Sequence, residues 1–273
     1  MSAREKISIK KLGIIAGGGV LPRQLQNACA KKSIETVIIG FKGYTDQVSP
    51  DYWTRIGASG RTVNYLKSQN ITDLVMIGAI KRPSVFDLWP DWITFKFFVK
   101  AWLHSFGDND LLTAARQELE SIGFKLHGVH EFLPELLMPE GILGNHVPQD
   151  GHQIDVQVGI RAARDLGQVD KGQAVLVKDG KVIAREDRRG TSAMIKRYGQ
   201  KGALLVKMCK PQQDKDLDLP TLGPKTIELC AAKKITGIVG QAGATLLVER
   251  AQSLQTANQN GIFVLGVTID GGH

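Results

Sequence analysis

Lys11-Leu-Gly-Ile-Ile-Ala-Gly-Gly-Gly-Val-Leu-Pro22 is the stretch on which the reading of the fold turns. A short apolar run ends in three glycines, and a proline follows where a helix has its first turn. Proline is tolerated there because the first helical N–H groups have no intrahelical partner anyway. The segment reads as a strand over Lys11–Gly17, a tight turn, and a helix over Val20–Lys32. Working outward, Glu35–Phe41 reads as a strand, Arg61–Asn70 as a helix and Asp73–Ile80 as a third strand. Strands separated by helices of this length make βαβ units and a parallel sheet. Helices are expected at Pro90–Ser105 and Asp108–Ile122, and a strand at Lys125–Phe132.

Residues 134–150 hold three prolines, two glycines and little periodicity, and are expected to be a linker. They separate an N-terminal domain, residues 1–133, from a C-terminal domain, residues 151–273. The second part opens with a helix at Gln153–Leu166. A hairpin follows, with Asp179-Gly180 as its two-residue turn. Helices near Thr191–Arg197, at Lys225–Lys234 and up to Asn260 then alternate with strands at Ala203–Met208, Thr236–Val239, Leu246–Glu249 and Ile262–Thr268. The fold class is α/β, in two α/β domains, the first with a Rossmann-like parallel sheet.

The 273 residues carry 35 Lys plus Arg against 27 Asp plus Glu, a net charge of +8 that suits an anionic partner. Aromatic residues are only 6%, which speaks against a nucleic-acid-binding surface. Three cysteines without paired spacing argue against a disulfide framework and a zinc site. With no secretory signal and no run of about 18 uncharged apolar residues, a cytoplasmic globular protein is expected.

Gly17, Gly18 and Gly19 would let a backbone approach a phosphate closely at a helix N-terminus, and a nucleotide or diphosphate site other than an NAD site is expected there in preference to a plain tight turn. A dinucleotide fingerprint wants a third glycine where Pro22 stands, and an acid where the second strand ends in Lys42. No P-loop lysine follows. Asp214, Asp216 and Asp218, if extended, share a face and could hold Mg²⁺ with substrate phosphates; a solvated acidic loop fits the same pattern. His127 and His130, three apart in an expected strand, face opposite ways and are expected to take structural or surface roles. Lys207 and Lys210 flank Cys209 just before the acidic loop. Between Phe86 and Phe106 lie three of the four tryptophans. Trp92, Phe95 and Trp102 fall on one helical stripe beside Lys96 and Lys100, which suits a buried core helix, an acyl-chain groove or a membrane-surface contact.

The opening motif, Arg82-Pro83, Gly107-Asp108-Asn109-Asp110-Leu111-Leu112 and Gly128-Val129-His130-Glu131 resemble the LpxI-type UDP-2,3-diacylglucosamine pyrophosphatases. So do Gly190-Thr191, Lys207-Met208-Cys209-Lys210-Pro211, Asp218-Leu219-Pro220-Thr221-Leu222-Gly223, Gly240-Gln241-Ala242-Gly243 and Phe263-Val264-Leu265-Gly266-Val267. The resemblance runs in order over nearly the whole chain. It implies hydrolysis of UDP-2,3-diacylglucosamine to UMP and 2,3-diacylglucosamine 1-phosphate (lipid X) in lipid A synthesis, with Mg²⁺, in a homodimer. It also implies water attacking the sugar-side phosphorus and a cytoplasmic protein in peripheral contact with the inner membrane. Asp218 corresponds to the family's critical aspartate and is the catalytic residue and candidate metal ligand. Gly17, Gly18, Gly19, Arg82, Asp110, Thr191, Lys207, Gln241 and Gly243 are the candidate substrate contacts. Trp92, Phe95 and Trp102 are the candidate acyl-chain or membrane contacts. Where many relatives read Glu-Gly-Thr-Asp, this chain has Arg189-Gly190-Thr191-Ser192. A non-catalytic nucleotide- or lipid-binding regulator and a Rossmann-type nucleotide-sugar oxidoreductase are the alternatives.

Overall fold

The computed structural model describes residues 9–55, 58–79, 116–211 and 216–269. The chain divides into two compact units, 1–134 and 135–273. In the first, β1 (Lys11–Ala16), α1 (Leu21–Lys31), β2 (Glu35–Phe41), β3 (Tyr52–Thr54), α2 (Ser59–Ser68) and β4 (Asp73–Ile77) precede a short β5 (Lys125–Leu126) and α3 (Val129–Phe132). The five strands are all parallel, in the order β3-β2-β1-β4-β5. This is the Rossmann order, with its switch point between β1 and β4.

Helix α1 begins with proline in its first turn and buries Pro22, Leu25 and Cys29 along one stripe. Full burial of a side chain such as Leu25 contributes roughly 1.5–3 kcal/mol. Residues 116–121 are helical, in agreement with the end of the expected Asp108–Ile122 helix; the rest of that helix and the Pro90–Ser105 helix lie outside the described residues. The expected strand over Lys125–Phe132 is corrected to β5 and α3. Gly128 leaves the extended segment, and the Glu131 side chain turns back to accept its N–H at 2.8 Å, closing a helical turn.

The second unit holds β6 (Gly141–Leu143), α4 (His152–Gln168), β7 (Ala174–Lys178), β8 (Lys181–Arg185), α5 (Thr191–Tyr198), β9 (Leu204–Lys207), β10 (Thr221–Leu222), α6 (Pro224–Ala232), β11 (Gly237–Gln241), β12 (Leu246–Leu247), α7 (Arg250–Gln259) and β13 (Phe263–Val267). Its main sheet runs β6-β13-β11-β9-β7-β8, and β9, β11 and β13 are parallel at its centre. Helix α4 packs Ala162, Ala163 and Leu166 against Val175, Val206 and Val239 on one face. On the other face Met194, Ile195, Ile227, Cys230 and Ala257, from α5, α6 and α7, cover Leu176, Leu205 and Ile238. Centre strands covered on both sides explain the unbroken apolar runs at Leu204–Val206 and Ile238–Val239.

Residues 134–150, expected as a linker, are in part folded into this unit. Met138 is buried in its core, and Gly141–Leu143 pairs antiparallel with β13. The prolines and glycines here shape a sheet edge, because a Cβ on Gly266 would fall 1.9 Å from the Pro139 carbonyl oxygen. Among the described residues no helix is long and apolar enough to cross a membrane.

Candidate functional site

At the switch point of the first unit the three glycines spend their N–H groups on the protein. Gly17 N–H donates to the Ile77 carbonyl at 2.8 Å, and Gly18 exchanges N–H···O bonds with Ala79 at 2.9 Å. Gly19 N–H donates to Asp46 Oδ1 at 2.9 Å. These N–H groups are engaged within the protein, while a Cβ at Gly19 would meet nothing within 4 Å, so the backbone is open at that position. A close backbone approach requires glycine: a Cβ at Gly17 would lie 2.7 Å from the Gly78 carbonyl carbon, and one at Gly18 2.7 Å from the Tyr44 oxygen. Gly17→Ala should lower the unfolding free energy by about 1–3 kcal/mol, the usual cost of overpacking a close contact. A urea denaturation midpoint unchanged from wild type would show that the turn relaxes freely.

The first unit also holds a cluster whose pairing the sequence reading did not anticipate. Buried His127 sits between two carboxylates, with Nε2 2.7 Å from Asp73 Oδ1 and Nδ1 3.0 Å from Glu131 Oε2. Its two nitrogens tie β4 to α3, the structural role expected for this residue. His130 lies in α3, not in a strand.

In the second unit several expected residues converge at the C-terminal ends of β9 and β11, where open α/β sheets present side chains to ligands. Lys207, the last residue of β9, is buried, and its Nζ donates to the Thr221 carbonyl at 3.1 Å. Burial pushes the Lys207 ammonium below its ordinary pKa, while the charges of Glu186 and Asp218 act the other way. Glu186 lies just past β8: its N–H donates to the Ala174 carbonyl, and Ala174 is the ladder partner of Lys207. The Glu186 carboxylate accepts Thr191 Oγ1–H and, at 2.9 Å, the Gln173 N–H. One buried cation thus faces two carboxylates, and Thr191 joins them at the start of α5.

Asp218 is half-buried and precedes Leu219 and Pro220, which are buried. The Pro220 carbonyl accepts the Leu246 N–H at 2.7 Å, and β10 pairs with β12. This pairing fixes the chain just beyond the aspartate. Asp216 and Leu217 form a turn, so Asp216 does not alternate with Asp218 along an extended segment as expected; Asp214 lies outside the described residues. Gln241 Oε1 accepts the Cys209 N–H at 3.1 Å, and its own N–H donates to Thr245 Oγ1. These bonds clasp the ends of β9 and β11. Gly243 takes φ +67° in the following turn and donates to the Met138 carbonyl at 2.9 Å, so its glycine is required by the backbone.

Arg82, Asp108, Asp110, Trp92, Phe95 and Trp102 lie outside the described residues. Cys29, Cys209 and Cys230 are all buried. Burial raises the Cys29 thiol to about 11, against the charge of Lys32, and Cys230 to about 12, which suits neither for nucleophilic chemistry. Glu186 was missed by the sequence reading, although a signal exists. Ala184 and Glu186 alternate with exposed Arg185, which places the carboxylate on the face of Ala184 that packs on the core.

Residues 11–136 match the LpxI N-terminal domain and residues 139–265 the LpxI C-terminal domain. The UDP-2,3-diacylglucosamine pyrophosphatase LpxI of Caulobacter vibrioides is 32% identical over 274 residues, covering 95% of this chain and 98% of that protein. The chain belongs to the LpxI family. Within this LpxI-family chain, Asp218, Lys207, Thr191 and Gln241 are brought together by the C-terminal domain alone. Glu186 joins them through tertiary contacts.

Proposed function

We propose that this LpxI-family protein hydrolyses the diphosphate of UDP-2,3-diacylglucosamine, releasing UMP and 2,3-diacylglucosamine 1-phosphate, a step of lipid A synthesis. Support comes from the relative in Caulobacter vibrioides, which carries that activity in its name and matches end to end. The observation that carries the reading within the chain is the buried Lys207 set against Asp218 and Glu186 at the strand ends. A diphosphate develops negative charge on its phosphoryl oxygens as the anhydride breaks, and a desolvated fixed cation stabilises that charge more than a solvated one. Water attacks the sugar-side phosphorus, the bond from that phosphorus to the bridging oxygen breaks, and UMP leaves with that oxygen. Asp218 orients the attacking water and takes its proton. Thr191, its hydroxyl proton directed to Glu186, keeps oxygen lone pairs for donors on the substrate.

A divalent cation fits this donor set. Mg²⁺ is ordinarily held by one or two carboxylates plus substrate phosphates, and keeps several waters. Asp218 offers a hard oxygen donor whose charge, with that of Glu186, reaches Lys207, whereas among the described residues no group of three or more His, Cys, Asp or Glu side chains converges. Asp218 would hold Mg²⁺ together with the diphosphate. When bound it would neutralise charge on the phosphoryl oxygens.

The test is UMP release from the diacylated substrate, before and after exhaustive chelation and on adding Mg²⁺ back. Turnover is expected to fall at least ~10²-fold with chelator and to return with Mg²⁺. Full turnover in chelator would remove the metal from the account. Tight UDP-sugar binding without UMP release would make the protein a non-catalytic regulator.

A further inference from the structure

The chain between the two site residues Glu186 and Thr191 carries charge that the chemistry does not use. From Arg185 to Lys201 there are six basic residues, Arg185, Arg188, Arg189, Lys196, Arg197 and Lys201, all exposed, against two acids. One acid, Glu186, is half-buried beside Lys207. The other, Asp187, is gripped by the Arg189 guanidinium and backbone N–H. The Arg189 bonds pull the Asp187 carboxyl down to about 2, and the Arg197 charge contributes in the same direction. Arg197 stands in the last turn of α5. Its guanidinium lies 5.1 Å from the ring centre of Tyr198, which is exposed.

The bond from Thr191 to Glu186 closes this loop, so Arg188 and Arg189 are carried on a segment anchored at both ends by site residues. Half of the chain's net charge of +8 is gathered in these residues. An exposed tyrosine among arginines has the amphipathic make-up of a lipid–water interface, where rings and guanidinium stems lie against headgroups.

We propose that this basic segment is the surface by which the protein docks on an anionic bilayer, bringing the site to the plane of the lipid headgroups. The proposal rests on the diacylated lipid-sugar substrate argued above, whose diphosphate sits at that plane when its acyl chains are in the membrane. Each basic residue near an anionic surface contributes to attraction that falls off within a Debye length, so docking is sensitive to salt.

The experiment is co-sedimentation with phosphatidylcholine vesicles, with and without phosphatidylglycerol, for wild type and for the triple variant Arg188→Glu, Lys196→Glu, Arg197→Glu. Wild type is expected to bind only the phosphatidylglycerol-containing vesicles. The triple variant is expected to bind them at least ~10²-fold more weakly, while UMP release in neutral detergent micelles stays within about twofold, as expected for residues outside the site. Should the triple variant not fold by circular dichroism, Arg188→Glu and Lys196→Glu are compared singly, each expected to weaken vesicle binding about tenfold. Equal vesicle binding by variant and wild type would overturn the proposal. So would wild-type preference for a DNA or RNA oligomer over the vesicles, and so would an equal loss of turnover in micelles. Vesicle binding by a wild-type protein that releases no UMP would instead defeat the catalytic reading and leave the docking surface standing.

Discussion

Asp218→Ala should fold as wild type and bind the UDP-sugar, yet release UMP at least ~10²-fold more slowly, the low end for losing a general base. The fold should survive because Asp218 is half-buried and the bonds that fix its neighbours belong to Pro220, Thr221 and Leu246. Removing the carboxylate also takes one negative charge away from Lys207, which leaves Glu186 to balance it. Asp216→Ala is the control: it sits in the adjoining turn and should cost far less. A comparable, small loss in both variants would mean that the acidic loop serves only as a solvated patch. Circular dichroism with steady-state kinetics on the same preparations separates these outcomes.

Lys207→Met should damage both stability and chemistry. The methionine fills the apolar part of the site, but it leaves Glu186 and Asp218 without their buried cation and the Thr221 carbonyl without its donor. Both carboxylates are half-buried and can regain some water, so the expected loss is about 1–3 kcal/mol in urea denaturation. Turnover should fall by ~10²–10³, the range for deleting one preorganised charge-stabilising donor. Adding Glu186→Gln should recover part of the stability, because one unpaired carboxylate disappears, and none of the turnover. Recovery of turnover in that double variant would show that Lys207 serves only to neutralise Glu186.

Those two residues differ in how they could be found. Asp218 and Lys207 stand in ordered motifs at strand ends, and a lysine ending an apolar strand is itself a signal. For Glu186 the alternation with Arg185 gives only the face; its partners come from the β7–β8 ladder, a bulge near Val177 and the start of α5. The βαβ alternation was legible because its strands are long apolar runs and its helices carry a clear stripe, as in α1 with Pro22, Leu25 and Cys29. By contrast, β3 has three residues and β5 two, too few for a period to register. Helix α3 is set by Glu131 reaching back to Gly128, and the 134–150 stretch by the Pro139 carbonyl meeting Gly266. The glycine turn was legible as a close backbone approach, but its neighbours within the fold were not. Gly17 and Gly18 meet the backbone of Gly78 and Tyr44, and Asp46, 27 residues away, takes the Gly19 N–H.

The proposed reaction breaks a nucleotide diphosphate by adding water at the phosphorus nearer the lipid sugar. The most direct measurement is mass spectrometry of both products formed from UDP-2,3-diacylglucosamine by the purified protein in oxygen-18 water. The expected result is equal amounts of UMP and 2,3-diacylglucosamine 1-phosphate, with the label in the sugar phosphate and none in UMP. Label in UMP would contradict the direction of attack, and the absence of UMP would contradict the function itself.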